Sequence, residues 1–234
     1  MCGIKSKRLN PDFELFIKRY DIIVFVETKT NEFDELKLPN DYDNFIKNRK
    51  KCKKKSGGIA IAYKKKNSGC IKFLKSESDF VQWVEFSDNH PGVNNLNFKI
   101  LFGCIYIPPE NSKFSSVEAF TEIEDELVFF SGNNNKNIAL VGDFNSRTGR
   151  LSDIVELDDS LFDILDITDV AEFINENLLF CNFLKNKGIP VDRISEDGNN
   201  VNNYGRKLID FCKRCSLYMA NGRLHNDKFI GKNT

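Results

Sequence analysis

Two side chains near the middle of the chain could share a chemical task. Asp143 and Asn145 stand two apart at the end of an apolar run, Asn137 to Val141, that reads as a buried strand. Strand side chains alternate with period 2, so both are expected on one side with Phe144 on the other. An acid and an amide so placed can orient a water or bind a metal through the first, and hydrogen-bond a phosphoryl oxygen through the second. The same Gly-Asp-Phe-Asn run is also what a plain Asx turn at a strand end would use. A second acid, Glu27, ends the apolar run Asp21-Ile-Ile-Val-Phe-Val, whose continuity predicts a strand buried on both faces. A carboxylate at the tip of such a strand is a site candidate.

Other reactive types are less well placed. His90 sits in the turn Asp88-Asn-His-Pro-Gly92 and His225 in Leu224-His-Asn-Asp227; both read as surface residues. Cys212-x-x-Cys215 has no second ligand pair and reads as helical packing. Gly57-Gly58 opens a strand rather than a helix, unlike a phosphate loop. Trp83, the lone tryptophan, alternates with Val81 and Glu85 and reads as a packing residue. Seven scattered cysteines suit free thiols, and residues 1 to 20 lack the apolar core of a secretory signal; the expectation is an intracellular protein, nuclear or cytoplasmic.

Charge is balanced in total and divided in space. The 234 residues carry 34 basic and 34 acidic side chains. Residues 1 to 66 nevertheless hold 17 Lys and Arg against 9 Asp and Glu, while Asp153 to Glu172 has eight acids and no base. Lys50, Lys51, Lys53 and Lys54 belong to the densest basic run, Lys47 to Lys55, which reads either as a solvated loop or as a rim that neutralises phosphates.

The elements that must position these residues alternate. Phe13, Phe16, Ile17 and Tyr20 make the stripe of a helix after Pro11. Strands are predicted at 57–63, 70–74, 80–86 and 98–106, a meander that Pro108-Pro109 stops. Ser115-Ser-Val-Glu118 has the capping-box pattern for a helix through about Phe130. The acidic stretch from Leu151 to Asn182 reads as partly helical, residues 205 to 215 as a helix, and Leu217 to Ala220 as a short strand. With 41% hydrophobic residues and no apolar run near the ~20 residues of a membrane span, the chain is expected to form one α/β domain over residues 1–234.

Three of these segments together resemble the endonuclease/exonuclease/phosphatase superfamily. Phe25-Val-Glu27-Thr looks like its strand ending in a metal-binding glutamate, Tyr106-Ile-Pro-Pro109 like its tyrosine-proline motif, and Val141-Gly-Asp-Phe-Asn145 like its Gly-Asp-Phe-Asn motif. Cys2-Gly-Ile-Lys-Ser-Lys, Val141-Gly-Asp-Phe-Asn-Ser-Arg-Thr-Gly149, Asn203-Tyr-Gly-Arg-Lys-Leu-Ile-Asp-Phe-Cys212 and Asn221-Gly-Arg-Leu224 are similar to endonuclease domains of non-LTR retrotransposons and host proteins derived from them.

The resemblance implies an α/β (α+β) fold: two packed, mostly antiparallel sheets flanked by helices, a four-layer sandwich of the DNase I-like type. It implies that Glu27 holds Mg²⁺ or Mn²⁺, that Asp143 orients or deprotonates the attacking water, and that Asn145 and Tyr106 hydrogen-bond the scissile phosphate. DNA is the implied partner, with a reverse transcriptase domain in a longer parent protein. Family members also carry an asparagine two residues ahead of the position of Cys2, and continue through Ser-x-x-Asp-Tyr and Ser-Asp-His after the position of Thr234. The expectation is therefore a fold incomplete at both termini. A phosphatase acting on a small phosphoester and an inactive nucleic-acid-binding remnant are the competing readings. Metal dependence separates the remnant, and plasmid nicking against phosphate release separates the phosphatase.

Overall fold

A computed structural model of the chain describes residues 11–49, 56–87, 99–132, 137–154 and 180–231. Lys50, Lys51, Lys53, Lys54, His90 and most of the acidic stretch lie outside these residues. The chain divides into two compact units, Met1–Phe144 and Asn145–Thr234.

The first unit holds both sheets. Helix α1 (Pro11–Ile17) leads into β1 (Ile22–Val26), followed by β2 (Tyr42–Lys47) and β3 (Ile59–Lys64), which form an antiparallel sheet in the order β1-β3-β2. The second sheet contains β4 (Ile71–Phe73), β5 (Val81–Ser87), β6 (Lys99–Tyr106) and β7 (Asn137–Asp143), in that order. Its first three strands are antiparallel; β6 and β7 are parallel, as they must be when a helix, α2 (Ala119–Ser131), carries the chain across between them.

Alternation along each strand sorts the layers. Ile59, Ile61, Val84, Cys104 and Tyr106 form the core between the sheets, with Val24, Val26, Phe86 and Phe102 packed against it. The opposite face of the first sheet buries Ile17, Tyr42 and Ala62 with Phe13, Ile23 and Phe25 under α1. On the outer face of the second sheet Trp83 is fully buried beneath α2 and donates its Nε1–H to Glu126 at 2.8 Å. Its cross-strand partner is Gly103, where a Cβ would fall 2.8 Å from the indole, so the glycine makes room for the ring. The order α1, sheet, sheet, α2 is the expected four-layer arrangement.

Several expectations are corrected. The β1 run is covered on both faces, yet all its residues stay only half-buried because β1 is an edge strand and β3 takes the centre. Strand β2 is an addition to the expected elements; its polar sequence, Tyr-Asp-Asn-Phe-Ile-Lys, suits the other edge. The Ser115 capping box does not form: α2 starts at Ala119, its N-cap Glu118 makes no side-chain bond, and Ser116 instead accepts from the Glu118 amide at 3.2 Å in a local turn.

The second unit contains a helical segment at 180–186 and helix α3 (Asn203–Arg214). Residues 217–220 form no strand, because buried side chains take up the backbone groups a ladder would use. Asp153 accepts from the Met219 amide at 2.7 Å, and Arg223 donates to the Met219 carbonyl at 3.0 Å. Asp153 and Arg223 also pair through two bonds of 2.7 and 2.8 Å, and both are almost fully buried.

Candidate active site

The parallel pairing of β6 with β7 brings both strands to one edge at their C-terminal ends. Tyr106, the last residue of β6, is in register with Asp143, the last of β7, and the Ile107 amide donates to the Asp143 carbonyl at 2.9 Å. Gly142 lets the chain reach that position. Its φ is 141°, and a Cβ there would stand 1.9 Å from the Ile105 carbonyl oxygen, so no other residue fits before Asp143.

Glu27 arrives from the other sheet, one residue beyond β1, and β1 runs within 8 Å of β6 and β7 at the Cα level. Both Glu27 and Lys29 adopt left-handed backbone, with φ of 53° and 55°. Such non-glycine conformations persist only where surroundings enforce them. Here the Thr28 amide donates to the Gly58 carbonyl at 3.2 Å, the Lys29 amide to the Gly57 carbonyl at 2.8 Å, and the hydroxyls of Thr28 and Thr30 bond at 2.8 Å. Gly58 must be glycine, since a Cβ would lie 2.5 Å from the Thr28 hydroxyl. A Cβ on Gly57 would touch Arg49 Cδ at 3.3 Å and Tyr106 Cε1 at 3.4 Å. The glycine pair is thus the floor between the turn that carries Glu27 and the ring of Tyr106.

The electrostatics tie the three residues together. Tyr106 is 5% exposed, and its phenol is pushed up to about 12, first by burial and then by the charges of Glu27 and Asp143, with Arg49 opposing. It remains a hydrogen-bond donor at any ordinary pH. Lys29 Nζ stands 3.2 Å from Glu27 Oε1 and balances its charge.

Asn145 opens the second unit. Strand β7 ends at Asp143 and Asn145 has φ of 49°, so the alternation expected to align the two side chains stops before it reaches Asn145. A different device sets its backbone. Asn202, the N-cap of α3, donates from Nδ2 to the Asn145 carbonyl at 3.0 Å, and its Oδ1 accepts from the Arg147 and Gly205 amides at 2.9 and 2.7 Å.

The donor set can be tested against a metal. Among the described residues no group of three His, Cys, Asp or Glu side chains is arranged to hold one. Glu27 and Asp143 do act on one hydroxyl, and Mg²⁺ takes one or two protein carboxylates, completing its shell with waters and substrate phosphate oxygens. These two residues fit such an ion.

Three contributors carry no site signal in the sequence. Lys29 follows Glu27 by two residues, a spacing with no motif of its own. Gly57-Gly58 reads only as a strand opening, and Arg49 is one of many cations in the basic run.

The chain belongs to the Endonuclease/Exonuclease/phosphatase family, whose sequence model matches residues 8–211. Among solved structures it is similar to the AP endonuclease LMAP from Leishmania major, with a TM-score of 0.50 and 15% identity over 67% of this chain and 56% of that one. The Xenopus laevis APE2 catalytic domain gives a TM-score of 0.46 and 13% identity over 74% of this chain and 64% of that one. The chain thus covers less than two thirds of either structure. No curated protein matches. The two mostly antiparallel sheets with flanking helices are a DNase I-like fold. No helix among the described residues is long and apolar enough to cross a membrane.

Proposed function

We propose that the chain hydrolyses phosphodiester bonds of DNA as an endonuclease of the retrotransposon type, assisted by Mg²⁺ or Mn²⁺. The observation that carries this reading is the convergence of Glu27, Asp143 and Tyr106 from the ends of strands in two different sheets. The DNA preference rests on the resemblance from Asn203 to Leu224 and from Val141 to Gly149.

Each residue has a step its chemistry suits. Asp143, held by the β6–β7 ladder, orients the attacking water and accepts its proton at a carboxylate oxygen. Tyr106, kept protonated by burial and two neighbouring carboxylates, donates to a non-bridging phosphate oxygen where negative charge grows. Glu27 and Asp143 would hold the divalent ion, which when bound supplies charge neutralisation to the phosphate. Lys29, 3.2 Å from the Glu27 carboxylate, balances its charge. Asn145 is assigned a hydrogen bond to the same phosphate.

Nicking of supercoiled plasmid with Mg²⁺ or Mn²⁺ tests the proposal. Wild type is expected to nick, Asp143→Ala to lose about 10²-fold or more, and Tyr106→Phe about 10-fold or more. Nicking that survives Asp143→Ala places the chemistry elsewhere, and release of inorganic phosphate from a small phosphoester without nicking makes the chain a phosphatase.

A further inference from the structure

Arg49 is a described member of the basic run, and it is not solvated like a surface lysine. Its Nη2 donates to the Phe114 carbonyl at 3.0 Å. Its Cζ lies 5.6 Å from the ring centre of Phe80 and 5.2 Å from that of Phe114, so two aromatic faces hold the guanidinium. Nη1 is buried and has no hydrogen-bond partner among the described residues. Among the described residues no carboxylate forms an ion pair with it, whereas Lys29 is already committed to Glu27.

Position adds to this. Arg49 Cδ and Tyr106 Cε1 flank Gly57 on the floor of the site, and the Arg49 charge acts on the Tyr106 hydroxyl. Arg49 as a whole is half-buried, but a guanidinium nitrogen shielded from water without a hydrogen-bond partner is costly. Phosphate oxygens are the anions whose geometry a guanidinium matches best. A phosphodiester presented to Tyr106 brings such oxygens to the neighbourhood of the Arg49 side chain. The aromatic clamp also removes much of the entropy that an arginine normally loses on binding.

We propose that Arg49 is a phosphate-binding residue of this site, its guanidinium donating to a non-bridging oxygen of the phosphodiester beside the Tyr106 hydroxyl. The inference deepens the reading above and rests on it for the identity of the substrate. Its test reads binding rather than cleavage, so the two fail separately.

The probe is a fluorescein-labelled DNA duplex with Ca²⁺ as the divalent ion, followed by anisotropy, together with duplexes carrying one neutral methylphosphonate at each successive position. Arg49→Met is expected to weaken binding of the unmodified duplex about 10-fold and to lower the salt slope by about one. At one methylphosphonate position wild type and Arg49→Met should bind within about twofold of each other, because the charge that Arg49 recognises is gone. Arg49→Lys, which keeps the charge and loses the fork, should fall between them at that position, and it carries the comparison if Arg49→Met does not fold. An equal loss for the variants at every position overturns the proposal, as does a wild type whose binding no single methylphosphonate weakens. A wild type that shows the expected pattern yet does not nick overturns the nuclease reading and leaves Arg49 as a phosphate binder.

Discussion

The two units of this chain are held together by different physics. In the first, Ile59, Ile61, Val84 and Cys104 close a dry layer between two sheets, and alternation along each strand decides which residue enters it. In the second, a buried aspartate and arginine replace a backbone ladder, and one asparagine side chain fastens a loop to the start of a helix. An apolar layer tolerates substitutions that keep volume and pattern. A buried ion pair tolerates loss of both partners far better than loss of one, because the survivor is an unpaired charge.

The largest expected effect tests that asymmetry. Asp153→Ala leaves Arg223, 3% exposed, without its carboxylate and should cost about 3–5 kcal/mol, read as lost hydrogen-exchange protection across 180–231. Replacing both partners, Asp153→Leu with Arg223→Met, should recover most of that loss. If the double variant is as unstable as the single one, the pair contributes through its bonds to Met219 and Val191 rather than through charge balance.

A smaller effect is expected where the first unit uses polar bonds itself. The Glu126 carboxylate accepts from Ser76 Oγ, the Glu77 and Ser78 amides and Trp83 Nε1, all at 2.7–2.9 Å. Glu126→Ala should cost about 1–3 kcal/mol in urea denaturation, the scale of leaving buried donors unsatisfied. A loss at the level of Asp153→Ala would erase the contrast between the units.

The smallest effect concerns thiols, one in each unit. Burial pushes Cys104 and Cys212 up to about 12. Both should stay unmodified by iodoacetamide at pH 8 while the half-buried Cys70, Cys181 and Cys215 react, as mass spectrometry of digested protein would show. The sign for stability follows. A thiol whose folded value lies above its ordinary one near 9 adds stability that is complete below that value, and is lost as pH climbs from about 9 to about 12. Titration of either thiol in the folded protein near pH 9 would place it at the surface.

How legible each part was follows from the same contrast. The strands at 22–26, 81–87, 99–106 and 137–143 are apolar, β-branched runs between turn residues, and their type and order could be read directly. Strand β2 escaped because an edge strand needs little apolar content. The ends of α2 and β7 escaped because Ser116 and Gly142 satisfy local steric and hydrogen-bond demands that periodicity does not encode. Glu27, Tyr106 and Asp143 were legible as motif residues. Arg49 was not, since its role depends on Phe80 and Phe114, 31 and 65 positions further along. The Asp153–Arg223 pair, 70 residues apart, left no periodic trace at all.

The single tryptophan has a spectroscopic consequence. Trp83 lies at 0% exposure, bonded to a carboxylate of α2 and 6.0 Å from the Phe130 ring, so its emission should be blue-shifted and shielded from iodide. Lifting α2 off the second sheet would wet the indole and redden the light. Fluorescence therefore reports on the helix that joins β6 to β7, the crossover that sets Tyr106 beside Asp143, whereas the second unit is followed through the ultraviolet absorbance of its own tyrosines, Tyr204 and Tyr218.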